Sequence, residues 1–130
     1  MKTSIALLAA TAAAATIAMS GNALAESDAA AGKAVFDRTC ANCHATQIGV
    51  NKIGPSLWDV IGRPIASVPD YSYSEKLHGI RGEWIAWNPE NLDRYLTNPR
   101  EVLHGVKMYF KGLPDRKDRD DVIAYLKTFK

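Results

Sequence analysis

Cys40-Ala41-Asn42-Cys43-His44 is the stretch that decides how this chain reads. Its two cysteines are the only 2 in the sequence, so all sulfhydryl chemistry is concentrated here. Three chemistries use such a pair: a redox disulfide, half of a zinc site, or two thioether bonds to the vinyl groups of one porphyrin, with the following histidine held beneath the iron. A thioredoxin-type disulfide belongs in a βαβ pattern, and nothing near Cys40 alternates like a strand. A zinc site needs two further well-placed ligands. The C-x-x-C-H spacing therefore predicts covalent haem, with His44 as proximal ligand and its other ring nitrogen donating to a backbone carbonyl.

Upstream, residues from Asp28 to about Thr39 read as a helix, with Gly32 and Phe36 four apart on one face and Val35 beside them. This helix delivers the two cysteines at its end. Farther upstream, Lys2 precedes an uncharged run from Thr3 to Ala25 that closes on Ala23-Leu24-Ala25, the composition of a secretory signal with its cleavage site. A retained membrane anchor is the rival reading, although Ser20, Gly21 and Asn22 interrupt the run. The expected division is a signal peptide over 1–25 and one domain over 26–130, exported to the periplasm, where an oxidising milieu makes a disulfide the plainer use of two cysteines. The formal charge is +2 over all 130 residues, of which Lys2 leaves with the signal. So small a net charge gives no strong general attraction to nucleic acid or anionic lipid.

Downstream, 45–68 holds Gly49, Gly54, Pro55, Gly62 and Pro64 without periodicity and predicts a long loop wrapped around something functional. Asn88-Pro89-Glu90 starts a helix whose buried stripe is Leu92, Tyr95 and Leu96, and Asn98-Pro99 stops it. A loop centred on Met108 spans 104–117. The last helix is expected from Asp118, with Asp121 supporting its cap, through Val122, Tyr125, Leu126 and Phe129. Gly32 would let it approach the first helix closely. No strand is predicted.

The sixth iron ligand decides the function, since an open position binds gases or peroxide whereas two protein ligands favour electron passage. Met1 and Met19 fall in the signal, which leaves Met108 as the one methionine of the domain. It lies in Gly105-Val106-Lys107-Met108-Tyr109-Phe110-Lys111-Gly112, where helical core packing does not account for it. His78 and His104 are the alternatives, and either would give a bis-His iron of lower potential.

Together these residues resemble the small class I c-type cytochromes, mitochondrial cytochrome c and bacterial cytochrome c2, over essentially all of 26–130. The resemblance rests on Cys40, Cys43 and His44, on Gly32 and Phe36, on Val122-Ile123-Ala124-Tyr125-Leu126-Lys127, and on Ile53-Gly54-Pro55-Ser56-Leu57. It implies an all-α cytochrome c fold: crossed terminal helices, a short third helix and long loops wrapping one haem. It also implies that the Pro55 carbonyl receives the His44 N–H, that Arg63, Tyr73 and Trp87 surround a haem propionate, and that Tyr95 lies near the Met108 sulfur. Val106 and Leu77 stand where the family usually has threonine and asparagine, which thins the polar network beside the haem. Arg100, Lys107, Lys111, Arg116 and Lys117 are what remains of the family's ring of docking cations. Trp58 and Trp84 have no role in this reading, and exposure of both would mark a contact patch.

The expected function is a soluble, monomeric periplasmic electron carrier with one haem c, His/Met ligation and no catalysis. Its expected partners are redox proteins: a respiratory or photosynthetic complex, a periplasmic dehydrogenase or an oxidase. No nucleic acid and no stable membrane insertion of the mature form are expected. An accessible sixth site, as in a gas sensor or peroxidase, and a bis-His subunit are the competing functions.

Overall fold

Helix α1 (Ala29–Thr39) starts where the Asp28 carboxylate accepts the Ala30 N–H at 2.8 Å and the Ala31 N–H at 3.3 Å, supplying partners for donors that the first turn leaves free. This computed structural model describes residues 26–130; the expected signal at 1–25, with its cleavage point, lies outside the described residues. Gly32, Val35 and Phe36 are the buried face of α1. They meet α5 (Arg116–Leu126), which buries Val122, Ile123 and Leu126 in return.

The two terminal helices touch most closely at Gly32, where a Cβ would overlap the Asp121 carbonyl oxygen. Absence of a side chain is therefore what sets their separation. Asp121 reinforces the joint: it is 3% exposed, and its carboxylate accepts the Asp28 N–H at 2.8 Å and the Lys117 ammonium at 2.7 Å. These bonds hold its carboxyl below the usual carboxylate range, the Lys117 contribution being the larger. The Phe36 and Tyr125 rings pack 5.5 Å apart beside this joint, although Tyr125 is only partly buried. Fully burying a valine such as Val35 or Val122 contributes about 1.5–3 kcal/mol, so each of these side chains adds to the stability of the joint.

Helix α3 (Pro89–Thr97) begins as the sequence predicts, with the Asn88 side chain accepting the Asn91 N–H at 2.7 Å and proline in the first turn. Leu92, Tyr95 and Leu96 form its buried stripe. Its expected stop at Asn98-Pro99 is real but is followed at once by a second helix, α4 (Pro99–Val102). Asn98 is extended, at φ −164°, which breaks α3, while Pro99 occupies a first-turn position that needs no N–H.

The last helix likewise departs from expectation. It starts at Arg116, two residues before Asp118, because Asp115 is the cap and accepts the Lys117 N–H at 2.8 Å. Asp121 serves α1 instead. A short helix α2 (Glu75–Gly79), capped by Ser74 and followed by a 3₁₀ turn at Ile80–Gly82, occupies a stretch with no helical periodicity.

The rest is loop. Residues 40–74 contain no helix, an irregular stretch that includes all of the loop expected over 45–68 and extends past both its ends. The architecture is all-α: among the described residues the only β pairing is an isolated antiparallel bridge, Pro64 with Ala86.

Candidate functional site

Cys40 and Cys43 lie on a turn wound directly from the end of α1. The Cys40 and Ala41 N–H groups donate to the Phe36 carbonyl at 2.8 and 3.0 Å, and those of Cys43 and His44 donate to the Cys40 carbonyl at 3.0 and 2.9 Å. The turn thus presents two thiols and an imidazole within five residues. Both thiols are free and half-buried. Burial pushes the Cys40 thiol up, opposed by the Thr39 hydroxyl beside it, with neighbouring Cys43 adding to the rise.

His44 is fixed as predicted, with Nδ1 2.8 Å from the Pro55 carbonyl oxygen. A carbonyl only accepts, so Nδ1 carries the proton and Nε2 keeps its lone pair. Burial lowers the imidazole below its ordinary value; the Pro55 bond opposes this, and the Arg63 and Lys52 charges add to it. A neutral imidazole with one committed nitrogen is what a metal ligand requires.

The sequence reading missed three residues around this ligand. Gly54 sits against the ring so closely that a Cβ would overlap its Cε1. Lys52 donates its ammonium to the Ala41 carbonyl inside the cysteine turn. Asn51 accepts the Ser56 N–H at 2.9 Å and donates to the Pro69 carbonyl at 3.4 Å, tying two loops together. A glycine before proline in a ligand-bearing loop was a signal for the first; the other two depend on loop paths that leave no mark in the pattern.

The three expected propionate donors are brought into one neighbourhood. Gly62 N–H donates to the Trp87 carbonyl and Trp87 N–H to the Arg63 carbonyl, both at 2.9 Å, so Arg63 and Trp87 are paired through their backbones. Arg63 donates one guanidinium N–H to the Trp58 carbonyl at 2.8 Å. Its Nε is the one buried side-chain polar atom, among the described residues, with no partner. Burial lowers this guanidinium from its ordinary value, while nearby Tyr73 and Asp59 oppose that shift. The Tyr73 oxygen accepts the Val68 N–H at 3.2 Å, leaving the phenol proton free to be donated. Since a buried donor without an acceptor costs about 1–3 kcal/mol, the arrangement fits a carboxylate-bearing ligand at Arg63. Leu57, Ile61, Leu77, Val106, Met108 and Phe110 are only partly buried and border the core, the apolar lining that a porphyrin needs. The residues present therefore fit haem.

Met108 is half-buried in a loop anchored at both flanks. Lys107 donates to the Ser72 carbonyl at 3.1 Å. Beyond it, the Leu113 N–H donates to the Leu96 carbonyl at 2.8 Å, and Gly112, at φ +97°, lies directly on the Thr97 carbonyl. Arg119, 8% exposed, clamps the exit by donating to the Leu113 and Pro114 carbonyls at 2.8 and 3.0 Å and to Asp93 at 2.7 Å. His78 and His104, the rival ligands, are both exposed, and His104 Nδ1 is engaged by the Arg100 carbonyl at 2.9 Å. Tyr95 is buried against Trp87 at 5.0 Å between ring centroids, and burial pushes its phenol up.

The candidate docking cations divide. Arg116 and Lys117 are paired with Asp120 and Asp121 inside α5. Arg100 lies over the ring of Tyr109, 4.9 Å from its centroid, and Tyr109 is 89% exposed. Trp84 is buried, contrary to an exposed tryptophan patch, and Trp58 is half-buried against Phe129.

Residues 29–130 match the family model described as Cytochrome c. The chain is 43% identical over 103 residues to a cytochrome c of Euglena viridis, covering 79% of this chain and 98% of that one. It is 42% identical over 103 residues to a cytochrome c2 of Rhodopila globiformis, covering 79% and 94%. Among solved structures, cytochrome cH from Methylobacterium extorquens superposes with a TM-score of 0.68 at 36% identity, covering 78% of this chain and 98% of that one.

Proposed function

This chain belongs to the cytochrome c family, and from that premise we propose that it is a soluble, monomeric periplasmic electron carrier whose iron is held between the His44 imidazole and the Met108 thioether. It carries one haem c, bonded through Cys40 and Cys43, and its work is electron transfer rather than catalysis. The haem supplies a one-electron change at iron; the chain decides how readily that change occurs.

The observation that carries the reading is the 2.8 Å approach of His44 Nδ1 to the Pro55 carbonyl beside two free thiols. It commits one ring nitrogen, keeps the other basic and orients the ring. On the other side, the Met108 thioether is a soft ligand that favours the ferrous state, and the half-buried apolar lining disfavours the extra positive charge of the ferric state. Both raise the potential. Arg63, Tyr73 and Trp87 hold the propionates, the orphaned Arg63 Nε supporting that role. Tyr95 fills the space near the sulfur. Since the same side chains serve both oxidation states, little moves when an electron arrives.

The leader-like composition of 1–25 supports export to the periplasm. Among the described residues no helix is long and apolar enough to cross a membrane. Partners of the proposed carrier are redox proteins: a respiratory or photosynthetic complex, a dehydrogenase or an oxidase.

Carbon monoxide added to the reduced holoprotein at neutral pH tests the ligation. A Met108-ligated iron leaves the spectrum unchanged, and ready binding would overturn the carrier in favour of an accessible sixth site.

A further inference from the structure

Met108 lies on a strap of chain that is held at its ends. Among the described residues, no backbone N–H from 107 to 112 donates to a backbone carbonyl, so the stretch has no backbone bonding of its own to keep its shape. At the entry, the Val106 N–H donates to the Leu103 carbonyl at 3.3 Å. The exposed Lys107 ammonium donates to the Ser72 carbonyl at 3.1 Å and to the Ser72 hydroxyl at 3.4 Å. These contacts are long or open to water, which competes for both partners.

The exit is built differently. Leu113 is 5% exposed, and its N–H donates to the Leu96 carbonyl at 2.8 Å. Arg119, one turn into α5, folds back over the residues that precede the helix, the direction in which helical side chains lean. Its guanidinium donates to the Leu113 and Pro114 carbonyls and to the Asp93 carboxylate of α3. The Arg119 side chain is 10% exposed and that of Asp93 32%, so the cation is balanced by a carboxylate and bonded largely out of water. One side chain thereby ties the strap both to α5 and to α3, the helix that carries Tyr95.

We propose that Arg119 is a positioning residue for the Met108 ligation: it is the clamp that keeps the thioether over the sixth position, and its strength fixes how rarely that position opens. This rests on the ligation proposed above. A strap without backbone bonds of its own passes slack at either end on to Met108, and with a weak entry the exit supplies the restraint. Release is costly because a buried guanidinium left without acceptors carries its desolvation penalty. Arginine suits the task, since its planar fork addresses acceptors lying in different directions, whereas an ammonium is a single point of charge. A carrier then differs from a ligand-binding haem protein in the fraction of time its strap is closed.

The test compares the parent holoprotein with Arg119→Lys and with Val35→Ala, a control that lowers stability by removing packing from the α1 face that meets α5. Lysine keeps a cation against Asp93 but gives up the fork. Imidazole added to the ferric protein reaches the iron only when Met108 has left it, so its apparent affinity scales with the open fraction. Arg119→Lys is expected to bind imidazole about tenfold more tightly, as the loss of a charge-assisted bond allows, and to speed hydrogen exchange of the 107–111 amides by a similar factor. Val35→Ala is expected to show the parent's imidazole affinity and the parent's exchange in 107–111, even though it unfolds at lower denaturant.

An Arg119→Lys variant that matches the parent would overturn the clamp. So would equal opening of the strap in Val35→Ala, because the strap would then merely follow overall stability. The far-red sulfur-to-iron band of the parent keeps the two ideas apart. A parent that lacks the band overturns the Met108 ligation and the role of the clamp with it; a parent that has the band, with Arg119→Lys unaltered, overturns the clamp alone.

Discussion

Arg63 shows how a single side chain reports on what surrounds it. A guanidinium offers five N–H donors and accepts none, and here the Nε is buried with no acceptor from the chain. Paired with a propionate, the cation offsets a negative charge that would otherwise stabilise ferric iron. Arg63→Met should therefore lower the reduction potential by about 60 mV, since 59 mV is a tenfold change for one electron. A redox titration of the purified variant checks this; an unchanged potential would mean that Arg63 faces no propionate. The cysteine turn and its histidine were legible in the sequence because covalent attachment requires that spacing. Gly54 carried a local sign, its place before Pro55 in a ligand-bearing loop, whereas Lys52 and Asn51 did not, since each acts through a contact made across a loop whose path no local pattern encodes. Arg63 fell between: its residue type was readable, but its burial was not.

Among the elements, the joint between α1 and α5 depends on one missing side chain. Alanine is intrinsically better than glycine in a helix by about 1 kcal/mol, so an uncrowded site would gain from Gly32→Ala. At Gly32 the new Cβ overlaps the Asp121 carbonyl and presses on the Tyr125 Cβ, and both helices would have to separate. The cost of such overpacking is typically about 1–3 kcal/mol, so Gly32→Ala should destabilise by about 2 kcal/mol net in denaturant titration of the holoprotein. A neutral or stabilised variant would show that the helices do not pack as described. Helices with strong start signals were readable: Asn88 and Pro89 fixed the beginning of α3 to the residue. The start of α5 was misplaced because Asp115, Asp118, Asp120 and Asp121 offer four competing caps, and only the fold reveals that Asp121 is spent on α1. Helix α2 was missed because five residues are too few to display a period, leaving Ser74 as its sole local sign.

At the level of the whole molecule, the chain is organised around a group it does not itself encode. Loops supply most of the residues proposed to surround the haem, and α1 and α3 serve chiefly to position Cys40, Cys43 and Tyr95. That division explains why the all-α class and the long loop over 45–68 could be read from composition and periodicity, while the order within the loop, and its extent over 40–74, could not. Pairing of Arg116 and Lys117 with their own helix leaves Arg100, Lys107 and Lys111 as the cations near the Met108 loop, a thinner field than the residue count suggested. The central claim remains the pair of iron ligands. The measurement that tests it most directly is the far-red sulfur-to-iron absorption band of the ferric protein, recorded for the parent and for Met108→Ala. The account predicts that the band is present in the parent and lost in the variant together with a fall in potential; a band absent from the parent, or undiminished in Met108→Ala, would contradict it.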